Sequence, residues 1–92
     1  MDIVLYTTEE TLAHKKSRDY DEYYWQMSRL PKNLKKGDRI YFITKKKIQG
    51  SFKIEKVTDI DIIWKPTTWR LANKKIVVKP FRGFRYRWWR NR

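Results

Sequence analysis

Cysteine is absent from the 92-residue chain, so it can form neither a disulfide framework nor a thiolate metal site. Nothing else in the sequence argues for an oxidising compartment, and a cytoplasmic location is expected. A single histidine, His14, excludes a metal site built from several imidazoles, and it reads as a structural or exposed side chain. The three glycines, Gly37, Gly50 and Gly83, stand too far apart for a phosphate-cradling loop. No stretch approaches the roughly 20 apolar residues of a membrane-spanning helix, so no membrane partner is expected. Low Asn and Gln content beside abundant Lys matches the bias of thermophile proteins. A chain of this length buries only about 60–65% of its unfolded surface, which suits one domain over residues 1–92 and excludes a cleft between two lobes.

Acidic residues are missing altogether after Asp61, and this absence is the most informative one. The chain holds 23 Lys plus Arg against 10 Asp plus Glu, a formal net charge of +13. Residues 1–30 carry 4 basic and 6 acidic side chains, residues 31–61 carry 9 and 4, and residues 62–92 carry 10 and none. Cations without acidic neighbours repel one another, and such a cluster persists where a partner supplies the countercharge. A polyanion is therefore expected, and nucleic acid leads.

Fifteen residues are aromatic, seven of them after position 61. In the closing segment Arg82, Arg85, Arg87, Arg90 and Arg92 alternate with Phe81, Phe84, Tyr86, Trp88 and Trp89. Arginine forks onto phosphate oxygens and stacks on bases, while rings offer sequence-tolerant stacking surfaces. Arg85, Arg87 and Trp89, with Arg82, Arg90 and Arg92, are thus candidate nucleic-acid contacts, joined by Arg70 and by a flexible Lys45-Lys46-Lys47 run that can reach phosphates without reading sequence. The competing reading puts Phe84, Tyr86 and Trp88 in the core and leaves the arginines solvated. It accounts for the rings better than for the arginines. Asp19, Asp21 and Glu22 form an acidic cluster that reads as a helix N-terminus and not as a catalytic set.

Hydrophobic periodicity predicts a first strand over Ile3–Thr7, then a short helix with Thr7 and Glu10 at capping-box spacing. A second helix is expected from Asp19 to Pro31, on the helical spacing of Tyr20, Tyr23, Tyr24, Met27 and Leu30. After a Lys36-Gly37-Asp38 turn, Arg39–Thr44 and Ser51–Val57 read as a hairpin with Lys45–Gly50 as its loop. Further strands are expected at Ile60–Trp64, Lys75–Lys79 and Phe84–Trp88. The sum is an α+β fold: a small curved β-barrel of five to six strands with one or two short helices.

The segment from Leu30 through Lys35-Lys36-Gly37-Asp38-Arg39-Ile40-Tyr41-Phe42, followed by the return strand Phe52–Val57 and the aromatic strand Gly83–Trp88, resembles the PUA-like superfamily of PUA, ASCH, EVE and YTH domains. That resemblance implies a curved pseudobarrel that binds RNA or, in some branches, a modified base in DNA. Two further expectations follow from it. In base-reading relatives an aromatic pocket holds one extruded base, and Trp25, Trp64 and Trp69 are the candidate rings. ASCH relatives include hydrolases, but Lys15-Lys16-Ser17-Arg18-Asp19 matches their lysine-rich segment poorly. The reading preferred is a non-enzymatic protein, without cofactor, that binds a structured RNA such as tRNA or ribosomal RNA; the ribosome itself is a possible partner.

Overall fold

A computed structural model of the chain describes residues 1–72 and 76–89. Its elements are strand β1 (Ile3–Tyr6), helix α1 (Glu9–Lys16), and strands β2 (Tyr23–Gln26), β3 (Arg39–Thr44), β4 (Lys47–Val57), β5 (Asp61–Trp64), β6 (Arg70–Leu71) and β7 (Phe84–Tyr86). They form one mixed sheet in the order β2-β5-β4-β3-β1-β7, with β6 added to β4 at Gly50 and Ser51. Among the described strands only β1 and β3 pair in parallel. Register shifts at Phe42/Ile43 and Ile54/Lys56 bend the long β4, which pairs with β3 through its first half and with β5 through its last. Such bulges curl a sheet. The result is a curled half-barrel with one α-helix, in keeping with the expected small, curved α+β architecture.

The near-continuous apolar runs of β1 and β3 are explained by burial on both faces. Ile3, Leu5, Ile40 and Phe42 point inward, where they meet Phe52, Ile54, Ile62, Trp64, and Leu12 of α1. Val4, Tyr41, Ile43 and Ile48 point outward, into a second cluster closed by Val78, Phe81 and Trp89 of the C-terminal segment. That segment wraps the outer face. Val77 bridges to Lys47, the Tyr6 hydroxyl donates to the Val78 carbonyl, and β7 pairs antiparallel with β1.

Several expectations are corrected. Residues 23–26 form a strand and not a helix, because the spacing that suits a helix also contains a period of two. Tyr23, Trp25 and Met27 face the inner core while Tyr24 and Gln26 are exposed, and three consecutive aromatics favour a pleated surface. With no helix there, the acidic cluster at Asp19, Asp21 and Glu22 lies on an exposed loop. The cap of α1 is Thr8, whose Oγ1 accepts from the Thr11 N–H at 3.1 Å, since the Thr7 N–H is already given to the Ile43 carbonyl at 2.9 Å. The β3–β4 loop shrinks to Lys45 and Lys46, both at positive φ (49° and 64°), the twist a two-residue hairpin turn demands. Lys47–Gly50 belongs to the strand. Of the strand expected at Lys75–Lys79, Lys75 lies outside the described residues, and the remainder makes a single bridge at Val77.

Gly50 lets β6 approach. A Cβ at this position would stand 2.4 Å from the Arg70 carbonyl oxygen and 2.6 Å from the Trp69 ring. Gly50→Ala therefore forces β6 and its arginine off β4; we expect a loss of about 1–3 kcal/mol in chemical denaturation. An unchanged denaturation midpoint would show that β6 is not held by this contact.

Candidate nucleic-acid interface

Directly paired residues on neighbouring strands share a face, so the register alone places the charges. One row runs Arg85–Val4–Tyr41–Ser51–Arg70 across β7, β1, β3, β4 and β6. Four strand spacings separate its two arginines by about 19 Å. The adjacent row holds Arg87, Asp2, Arg39 and Lys53: Arg39 pairs with Lys53, the Arg39 N–H donates to Asp2 Oδ1 at 2.8 Å, and the Arg87 N–H donates to the Asp2 carbonyl at 3.0 Å. These two rows bring five cations together with one carboxylate.

That carboxylate is fully engaged. Arg87 Nη1 donates to Asp2 Oδ2 at 2.9 Å and its Nε donates to the Trp89 carbonyl at 2.9 Å. The Arg87 guanidinium also lies 5.4 Å from the Tyr41 ring and 5.3 Å from the Trp89 ring. Its side chain is 15% exposed. Arg87 is thus a clasp between the C-terminal segment and the first strand, which removes it from the open contacts expected of it. Trp89 is corrected likewise: its ring packs edge-on against Tyr41 at 4.9 Å and covers the outer cluster. Within the C-terminal segment the exposed ring is Trp88, at 45%, with the Arg85 guanidinium 4.9 Å from its centroid. Sequence alternation assigned Trp88 inward because it took β7 to continue past Tyr86, where the strand in fact ends.

Among the remaining candidates, Arg82 and Arg70 are exposed, and Arg90 and Arg92 lie outside the described residues. Lys45, Lys46 and Lys47 are exposed at the hairpin tip, with Lys45 reaching Glu9 at 3.3 Å. The length of β3 separates this tip from Arg39, on the order of 20 Å, so the lysine run and the arginine rows mark opposite ends of the hairpin.

The expected aromatic pocket is not formed. Trp64 has no exposed surface and stacks on Phe52 at 5.1 Å and 23°; Trp25 packs on Phe42 at 5.3 Å, and Trp69 on Phe52 at 4.9 Å. Phe42 and Phe52 lie between the three indoles, which therefore belong to one continuous inner core. Trp69 also borders a groove of about 240 Å³ beside α1, with Lys16 4.7 Å over its ring, but the indole is half-buried against Phe52 and the Gly50 backbone.

Two residues of the interface escaped the sequence reading, Arg39 and Lys53. The signal was present in the alternation Arg39, Tyr41, Ile43, which puts the arginine on the outer face of a strand whose every other residue is buried.

No protein-family model, curated protein or solved structure matches the chain. The acids outside the two rows are Glu9 and Glu10 on α1, Asp19, Asp21 and Glu22 on the loop before β2, Asp38 before β3, where it pairs with the N-terminal amine, Glu55 on β4, Asp59 in the β4–β5 turn and Asp61 on β5. Among the described residues no group of three or more His, Asp or Glu side chains is placed to hold a metal ion, and no described helix is long and apolar enough to cross a membrane.

The two kinds of arginine separate experimentally. Arg87→Gln removes a partly buried, charge-assisted contact and is expected to lower stability by about 1.5–3 kcal/mol in urea melts. Arg82→Gln should leave the midpoint in place. Equal effects would contradict the distinction between clasp and free cation.

Proposed function

We propose that this protein is a non-enzymatic RNA-binding protein. The outer face of its sheet takes backbone phosphates on Arg39, Lys53, Arg70 and Arg85, with Trp88 beside Arg85 as a stacking surface for one base. The observation that carries this reading is the charge imbalance of the two cross-strand rows, whose only carboxylate, Asp2, is used up internally by Arg87 and the Arg39 N–H. Such a face attracts a polyanion. Phosphate contacts set affinity and register, and a planar ring adds sequence-tolerant stacking. A shallow surface of this kind reads shape more readily than sequence, which favours a folded RNA such as tRNA or ribosomal RNA, alone or in a ribonucleoprotein. The resemblance to the PUA-like superfamily supports the same reading through the Lys36-Gly37-Asp38 turn, which passes directly into β3 and its Arg39.

Salt dependence is the test. Some three to four phosphate contacts correspond to a slope of log K against log salt of about −3, hence roughly 60-fold weaker binding of an RNA hairpin at 200 mM than at 50 mM salt. A slope near zero, or tighter binding to the DNA hairpin of the same sequence, would contradict the reading.

A further inference from the structure

We propose that Arg39 and Arg70 form a preassembled subsite for one phosphodiester group, with Lys53 at its rim. This inference deepens the RNA-binding reading and rests on it for the identity of the polymer.

Arg39 is the one half-buried guanidinium of the face that neutral acceptors alone hold. Its Nε donates to Ser51 Oγ at 2.7 Å, and its Nη2 donates to the Ser51 carbonyl at 3.1 Å and to the Thr68 carbonyl at 2.9 Å. None of the ion pairs among the described residues includes it. Arg87, its counterpart two strands away, is of the same residue type and similarly placed, yet its Nη1 is neutralised by Asp2. In Arg39 the equivalent Nη1 makes no hydrogen bond among the described residues, so a guanidinium already fixed in space still carries two free N–H donors.

Its cross-strand neighbours add positive charge. Arg70 pairs in register with Ser51, the residue that holds Arg39, and Lys53 pairs with Arg39 itself. Burial, then the nearby Arg70, lowers the Arg39 pKa, with Tyr41 and Asp2 opposing. A guanidinium stays protonated regardless, so the unfavourable field is relieved by an incoming anion and not by loss of a proton. Rotamer freedom is already surrendered to Ser51 and Thr68, so binding costs less ordering than it would at a free surface arginine. A phosphodiester suits the site: one negative charge, and two non-bridging oxygens for donors arriving from Arg39 and from the exposed Arg70 or Lys53.

The experiment uses the full chain, ¹⁵N-labelled, with two probes: inorganic pyrophosphate and an RNA hairpin. The Arg39 Nε–H signal and the Ser51 and Thr68 amides should move saturably with pyrophosphate. Arg70→Gln, a change at an exposed position, should weaken the hairpin about tenfold and reduce the salt slope by about one, with the melting temperature unchanged. Arg39→Lys, which keeps charge but loses the fork, should weaken it at least as much. If the hairpin binds with the expected salt slope while neither variant changes affinity and the Arg39 signal stays still, the subsite is refuted and the RNA reading survives. If the hairpin fails to bind but pyrophosphate moves the Arg39 signal saturably, the subsite stands and the RNA reading falls. If neither probe acts, both are overturned.

Discussion

One carboxylate organises the outer face of this sheet. Asp2 Oδ1 accepts the backbone N–H of Arg39, at the start of the central strand, and Oδ2 accepts the Arg87 guanidinium, just past the last strand. The first strand is thereby fixed to the two strands that flank it, β3 and β7. Because Arg87 is held there, Trp89 can close over Tyr41 and the outer apolar cluster is sealed. The same two bonds engage the only acid of the cross-strand rows, and Arg39, Lys53, Arg70 and Arg85 make no ion pair among the described residues. Stability of the C-terminal wrap and availability of a cationic surface follow from one side chain.

The division of labour among the aromatic residues follows from the same arrangement. A small sheet buried on both faces needs many large rings, and most of the fifteen are used this way: Trp25, Phe42, Phe52, Trp64 and Trp69 form a continuous inner series, while Tyr41, Phe81 and Trp89 build the outer layer. Tyr20 and Tyr24 are exposed too, but they lie at the β2 end of the sheet, away from the two cationic rows. Trp88 stands out beside Arg85, which accords with a surface that relies on phosphates for affinity and on a single ring for stacking.

Much of the architecture was legible in the sequence because its cause is local. The Lys36-Gly37-Asp38 turn, with Gly37 at φ +95°, and the apolar run Arg39–Thr44 announce the central hairpin, and Phe84 and Tyr86 do pack on the inner core as their alternation requires. Misreadings arose where two periods coincide or where long-range partners decide. Tyr20-to-Leu30 fits helical spacing, but pairing with β5 selects the strand. Lys45-Lys46 carries no Gly or Asn signal for a two-residue turn, so the hairpin's true tip was hidden. The charge gradient pointed correctly to a cationic C-terminal segment. It could not show that Arg87 would be neutralised from residue 2, nor that Arg39, far from the arginine-rich segment in sequence, would join that surface through strand register. The positions of Trp25, Trp64 and Trp69 along the chain gave no hint that Phe42 and Phe52 would stand between their rings.

The central claim is that the two cross-strand rows, and not the hairpin tip or the acidic end of the sheet, form the RNA-binding face. Amide and arginine side-chain shift mapping during titration with an RNA hairpin tests it most directly. Perturbations should concentrate at Arg39, Ser51, Lys53, Arg70, Arg85 and Trp88 and be slight along α1, β2 and β5. Shifts centred on α1 or on the β2–β5 edge, with the two rows unmoved, would contradict the account.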